Sequence, residues 1–249
     1  MKDYSLIPAN EIWYTTTDCK SIKLRSATKK KTVSNTYKKQ GKGVVVFKEP
    51  VVEIEKKAFY DCASLHEIAL PKGVLIIGEW AFYNCTGLDE MVIPESVTKI
   101  GTYAFNGCSG LKEVVIPSSV TEIGEWAFYN CTGLQEIVIP SSVKEIGNWA
   151  FKLCTGLQEV VIHEGVTDIG VEAFEGCTSL HKIDIPSSIT RVPAHTFASC
   201  TCLRKVDIPS SVTLIGDAAF DKCTGLREVV IPSSVKEIGL WAFRGCTGL

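Results

Sequence analysis

Apolar positions recur along most of the chain with a single period. Phe59, Phe82, Phe105, Phe128, Phe151, Phe174, Phe197, Phe220 and Phe243 are each 23 residues apart. Cysteine keeps the same step from Cys62 to Cys246, and leucine from Leu65 to Leu249, so residues 43–249 divide into nine units of 23. A period of this length marks a stacked repeat, in which one unit buries its apolar face only against its neighbours.

The unit beginning at Gln135, QEIVIPSSVKEIGNWAFKLCTGL, gives the local prediction. Ile137 and Ile139 alternate with Glu136 and Val138, the pattern of a strand buried on one face. Pro140 removes a backbone donor and Ser141-Ser142 favours a turn, so the strand ends there. Val143 and Ile146 point inward, and Gly147 permits an unusual backbone angle. Residues 148–154 predict about two helical turns with Ala150, Phe151 and Cys154 inside, stopped by a left-handed Gly156. Stacking such units predicts an α/β solenoid: a right-handed superhelix with a concave parallel sheet of nine strands and short helical or turn segments on the convex side.

The string CTGLQEIVIPSSVKEIGNWAF resembles the BspA-like leucine-rich repeat family, found in bacterial and protist surface proteins, over about 207 of the 249 residues. IPANEIWYTT, VSNTY and GKGVVVF resemble the leader region that precedes such repeats in some members. The resemblance implies a cell-surface or secreted adhesin that binds host matrix proteins or other cells. A repeat scaffold hosts many unrelated partners, so the fold is implied more strongly than the ligand.

Residues 1–42 fall outside the repeat. EIWYTT and SIKLR predict short strands, and the runs Lys29-Lys30-Lys31 and Lys38-Lys39 predict loops, together a small β cap over the first coil. This segment carries a net charge of +7, against −9 for residues 43–249. The alternative, a basic patch for polyanions, lacks interleaved aromatics beyond Tyr37, which argues against nucleic acid. No signal peptide is visible in the chain as given, so the protein is expected to be either cytosolic or a surface protein whose leader has been removed. The sequence stops at Leu249 on a unit boundary, which leads us to expect truncation, a longer parent, or end-to-end self-association there.

A composition of 45% hydrophobic and 22% charged residues excludes disorder and collagen. No apolar run reaches the roughly 18 residues that read as a membrane span. Nine of the eleven cysteines share one inward position and predict a column of reduced thiols. Cys19 is expected to react first, and Cys202, which replaces the Gly of CTGL, reads as local variation. Zinc would need convergent ligand pairs. The four histidines, His66, His163, His181 and His195, lie in different coils. Gly41–Gly43 lacks the rest of a phosphate loop. No enzyme, cofactor or metal is expected. Glu67, Glu90, Glu113, Glu136 and Glu159 stack at one outward position and must be solvated or neutralised by neighbours such as Lys112. That ladder offers too few oxygens for calcium.

Outward sheet positions are free of the folding constraint, so departures there carry the functional signal. The column Ala69, Val92, Val115, Val138, Val161 turns to Asp184 and Asp207 before returning to Val230. In the same two coils the glutamate column turns to Lys182 and Lys205, with His181 and Arg204 beside them, while Pro193, His195 and Thr196 also break the pattern. Either this is drift, with Lys182 and Asp184 balancing each other across neighbouring strands, or a valine stripe supplies contact area and the patch supplies specificity. Trp80, Tyr103, Trp126 and Trp149, with Trp241 beyond them, form a second stripe. It is either the edge of the core or a platform for sugars or a protein. Three functions follow: a protein-binding adhesin acting through the concave sheet, a stiff spacer presenting another domain, and a carbohydrate-binding module.

Overall fold

The computed structural model describes residues 6–38 and 41–249. The repeats coil into a solenoid of about eight turns with two parallel ladders and one column of turns. The first ladder is the long-strand sheet, expected above to be concave. Its eight parallel strands are Leu65–Ala69, Glu90–Val92, Glu113–Val115, Glu136–Ile139, Glu159–Ile162, Lys182–Asp184, Lys205–Asp207 and Glu228–Val230, hydrogen-bonded as a group of three and a group of five with a break between Glu113–Val115 and Glu136–Ile139. The expected alternation holds within them: Ile137 and Ile139 are buried, Glu136 and Val138 exposed. The second ladder stacks two-residue strands such as Glu122–Ile123 and Glu145–Ile146, each with its inner Ile buried.

The long-strand sheet has eight parallel strands rather than nine because the first unit's strand pairs elsewhere. Strand β1 (Glu11–Thr16) is followed by helix α1 (Ser26–Lys31) and by strands β2 (Thr32–Lys38) and β3 (Lys42–Phe47). β3 pairs antiparallel with β1 and β2, and β1 pairs antiparallel with Leu65–Ala69. Residues 1–42 are therefore not supported as a separate cap, since β3 crosses that boundary and Ile12, Tyr14, Val45 and Phe47 join the common core. SIKLR is not a strand. The Lys29-Lys30-Lys31 run falls in the six-residue helix rather than a loop, in keeping with the good helix propensity of lysine. Lys38 ends β2, and Lys39 lies outside the described residues.

The expected helical segments are absent from the repeats, and the backbone supplies the reason. Trp80, Tyr103, Trp126 and Trp149 all have φ near +60°, as do Glu172, His195 and Trp241 at the same repeat position. A second left-handed residue follows four positions later, at Asn84, Asn130 or Leu153. Two left-handed residues per turn cannot continue a right-handed helix. Donors divide accordingly. Ala81, Tyr83 and Cys85 donate to carbonyls three residues back, whereas Trp80, Phe82 and Asn84 donate to Thr102, Ala104 and Asn106 of the next coil. The turns thus form a third hydrogen-bonded column.

Gly147 and Gly156 have neither of the roles expected of them. Both lie outside the left-handed region, and both are required by close approach between coils. A Cβ at Gly147 would lie 2.6 Å from Glu125 N, and one at Gly156 would lie 2.4 Å from Thr132 O.

The core is a set of columns of identical residues. Successive Phe rings from Phe59 to Phe243 stack with centroids 5.1–5.7 Å apart and planes within 17°. Burying each fully is worth roughly 1.5–3 kcal/mol. The cysteine column packs beside them, and from Cys85 onward each thiol donates to a phenylalanine carbonyl of the preceding coil, as in Cys85 to Phe59 O (3.1 Å) and Cys131 to Phe105 O (3.2 Å). The cysteines are free, with Cys19 and Cys202 exposed. The last coil leaves Ile238, Leu240 and Trp241 exposed.

Burial pushes the column thiols up, to about 12 at Cys62, Cys154 and Cys223, from an ordinary value of 9.0. In the folded chain they stay protonated where the unfolded chain would ionise, so their contribution to stability is complete below the unfolded pKa and lost as pH rises towards 12. Urea unfolding at pH 7 and 9.5 is expected to show a lower midpoint at the higher pH, by about 1 kcal/mol per buried thiol. An unchanged midpoint would contradict the buried column.

Candidate binding surface on the long-strand sheet

The exposed face of the long strands divides into two regions. Val92, Val115, Val138 and Val230 stand out of the sheet about half exposed, while Val161 is less so. Ala69 is buried, because Trp13 of β1 lies in register beside it. The stripe therefore begins at Val92. Alongside it the glutamates face one another in register, Glu90 with Glu113 and Glu136 with Glu159. Like charges so placed repel unless solvated, and Glu90, Glu113 and Glu136 are exposed. Lys112 pairs with Asp89 (2.8 Å) rather than with a ladder glutamate.

The second region is the Lys/Asp patch. Ile183 and Val206 point into the core, which turns Lys182, Asp184, Lys205 and Asp207 to solvent by strand alternation. Lys182 Nζ is 2.7 Å from Asp184 Oδ2, and Lys205 Nζ is 3.3 Å from Asp207 Oδ1 and 3.1 Å from Glu228 Oε1. The balancing is thus mainly within strands, not across them as expected. A hydrogen bond from Lys182 to Asp184 raises the lysine pKa, and those from Lys205 to Glu228 and then Asp207 do the same. Being fully exposed, these pairs are screened by water and salt and hold the fold only weakly.

At the leading edge of the same strands lies a groove of about 580 Å³ lined by Gln158, Ser179, His181, Thr201, Cys202, Arg204, Gly225 and Arg227. His181 and Arg204, singled out from the sequence, lie here rather than on the sheet face. Gln158, Ser179 and Arg227 were missed. The signal was the column after the ladder leucine, which reads Gln158, His181, Arg204, Arg227 in successive coils. The irregular Pro193, His195 and Thr196 belong to the second ladder and turn column and do not join the patch. His195 occupies the left-handed position, and buried Thr196 donates to Pro193 O (2.8 Å).

The aromatic stripe is a continuous stack. Trp80 and Tyr103 are 4.2 Å apart, Tyr103 and Trp126 5.6 Å, and Trp126 and Trp149 4.6 Å, with planes within 19°. Tyr103 and Trp126 thus have a stacked ring on either side. The outer side of Trp80 is covered by Lys57 and Tyr60. A sugar platform needs an open ring face, so this arrangement favours a packing role. Among the described residues, no group of three or more His, Cys, Asp or Glu is placed to hold a metal ion. Likewise no described helix is long and apolar enough to cross a membrane.

Fold and surface together define a leucine-rich-repeat solenoid. The family described as BspA type leucine rich repeat region, in six copies, matches residues 30–152 and 121–249, and the chain belongs to it. No curated protein matches the chain. Among solved structures it is similar to a leucine-rich repeat protein from Bacteroides ovatus, with 28% identity over 86% of this chain and 72% of that one and a TM-score of 0.61. A second, from Eubacterium ventriosum, shares 26% identity over 78% and 57% of the two chains at a TM-score of 0.64. The leucine rich repeat protein of T. pallidum shares 27% identity over 91% of each chain at 0.53.

Because Trp126 stacks on two neighbours, Trp126→Ala is expected to lower stability by roughly 1–3 kcal/mol, from two aromatic pairs at about 0.5–1.5 kcal/mol each. In the same preparation a panel of oligosaccharides should leave tryptophan fluorescence unchanged. A saturable shift with any glycan would overturn the packing role.

Proposed function

We propose that the chain is a non-enzymatic, protein-binding scaffold that acts as an adhesin at the cell surface, with a matrix glycoprotein or another cell's surface protein as partner. The observation that carries this reading is the exposed valine stripe, interrupted in two coils by Lys182, Asp184, Lys205 and Asp207. A stripe of half-exposed valines supplies contact area to a partner, and the charged groups that interrupt it fix orientation and exclude wrong partners. The ion pairs of the patch are too exposed to be needed for folding, which frees those positions to serve binding. Family membership supports the scaffold role, since repeat solenoids bind through their extended sheet faces.

The test is solid-phase binding of the purified chain to a panel of matrix glycoproteins, alongside Asp184→Val/Asp207→Val. The double variant extends the valine column and should keep the wild-type circular dichroism. Saturable binding by wild type, weakened at least tenfold in the variant, is the expected result. Equal binding by both would remove the patch from the site. Absence of binding to every partner would favour a stiff spacer, a role the uninterrupted Phe column also suits.

A further inference from the structure

Six coils place glycine two residues after the ladder cysteine, at Gly87, Gly110, Gly133, Gly156, Gly225 and Gly248. In each, a Cβ would come within 2.4–2.6 Å of a carbonyl oxygen of the preceding coil. Ser179 and Cys202 break this rule in consecutive coils. A side chain at Cys202 has to be accommodated against the coil of Thr178, to whose carbonyl the Cys202 N–H donates (3.2 Å). The long-strand ladder is thinly paired at that same junction, though less so than between Glu113–Val115 and Glu136–Ile139, where the pairing is broken. Between Lys182–Asp184 and Lys205–Asp207 it retains one register pair, Lys182 with Lys205, against three at each flanking junction. Two like charges facing each other there add to the weakening. The groove described above spans this junction and the two that flank it.

The charges lining that groove are of one sign. Lys182 and Lys205 are engaged by carboxylates, but among the described residues Arg204 and Arg227 have no ion-pair or hydrogen-bond partner for their side chains. They occupy the same position in adjacent coils, about 4.8 Å apart along the stack. The hydroxyls of Ser179 and Thr201 and the ring of His181 lie along the same groove. Guanidinium groups bind oxyanions through two parallel N–H donors, and paired guanidiniums favour paired anions.

We propose that this groove is an oxyanion subsite that receives closely spaced carboxylates from an acidic peptide segment of a partner protein. Arg204 and Arg227 hold the carboxylates, and Cys202, which lines the groove beside them, acts as a positioning residue. The valine stripe ends beside it at Val230, which suits apolar side chains of the same peptide. The inference rests on the reading of this chain as a protein-binding scaffold.

The probe is a fluorescein-labelled octapeptide of alternating Glu and Ala, with a Gln/Ala peptide as control and a sulfated heparin tetrasaccharide as competitor. Titration of the full chain by fluorescence anisotropy at low ionic strength should give saturable binding of the Glu/Ala peptide alone, lost as salt is raised. Arg204→Gln/Arg227→Gln should weaken it at least tenfold, and Cys202→Gly several-fold while leaving every charge in place. Asp184→Val/Asp207→Val should retain it. Binding unchanged by the arginine substitutions, or no binding by the folded wild type, would overturn the proposal. Preferential binding of the tetrasaccharide would overturn the choice of peptide. The two readings fail separately: matrix proteins that do not bind, with an arginine-dependent peptide that does, would sink the adhesin role and leave the subsite standing.

Discussion

Everything in this protein depends on the contact between one coil and the next, because each residue sits beside a copy of its own position 23 residues away. Backbone N–H groups from both ladders and from the turn column reach across that contact. A fixed register then decides which residue types each column tolerates. Phenylalanine stacks on phenylalanine, and a thiol bonds a carbonyl of the coil before it. Carboxylates cannot do the same inside the core, so the glutamate column stands in water. Many surface ion pairs form one coil apart, as in Lys56–Glu79, Lys99–Glu122 and Asp168–Arg191. The bidentate pair of Arg244 with nearly buried Asp221, also one coil apart, follows the same rule and holds that carboxyl below its ordinary range.

The same contact explains what could and could not be read from the sequence. The period, the identity of the core columns and the alternation at Glu136–Ile139 were all legible, because they are repeated nine times and need only local geometry. The turn column was not. Nothing in NWAF announces that Trp149 is left-handed, a conformation normally left to glycine. It is held here by an intercoil hydrogen bond from Trp149 N–H to Val171 O and by ring stacking on Trp126. The glycines were read as conformational devices, whereas their Cβ positions are occupied by the neighbouring coil. The strand at Lys42–Phe47 followed the repeat in sequence and left it in space, because β1 offered an antiparallel partner.

At the surface, departures from the repeat were easy to see and harder to place. Lys182, Asp184, Lys205 and Asp207 emerged together on one face as expected. His195 and Thr196, equally irregular, went to the turn column of the coil. Arg227 was overlooked because its column varies throughout and no single substitution stands out. It adjoins Arg204 because the two hold one repeat position in adjacent coils, with Arg227 N–H donating to Arg204 O (2.9 Å). A thinly paired junction and unusual chemistry thus lie at adjacent coil interfaces, along the leading edge of the long strands.

That coincidence is most directly tested by amide hydrogen–deuterium exchange resolved by coil. If the thinly paired junction between the strands Lys182–Asp184 and Lys205–Asp207 is loosened, amides there should exchange faster than those joining Glu136–Ile139 to Glu159–Ile162. Equal protection at both junctions would contradict a groove that runs over a loosened intercoil contact.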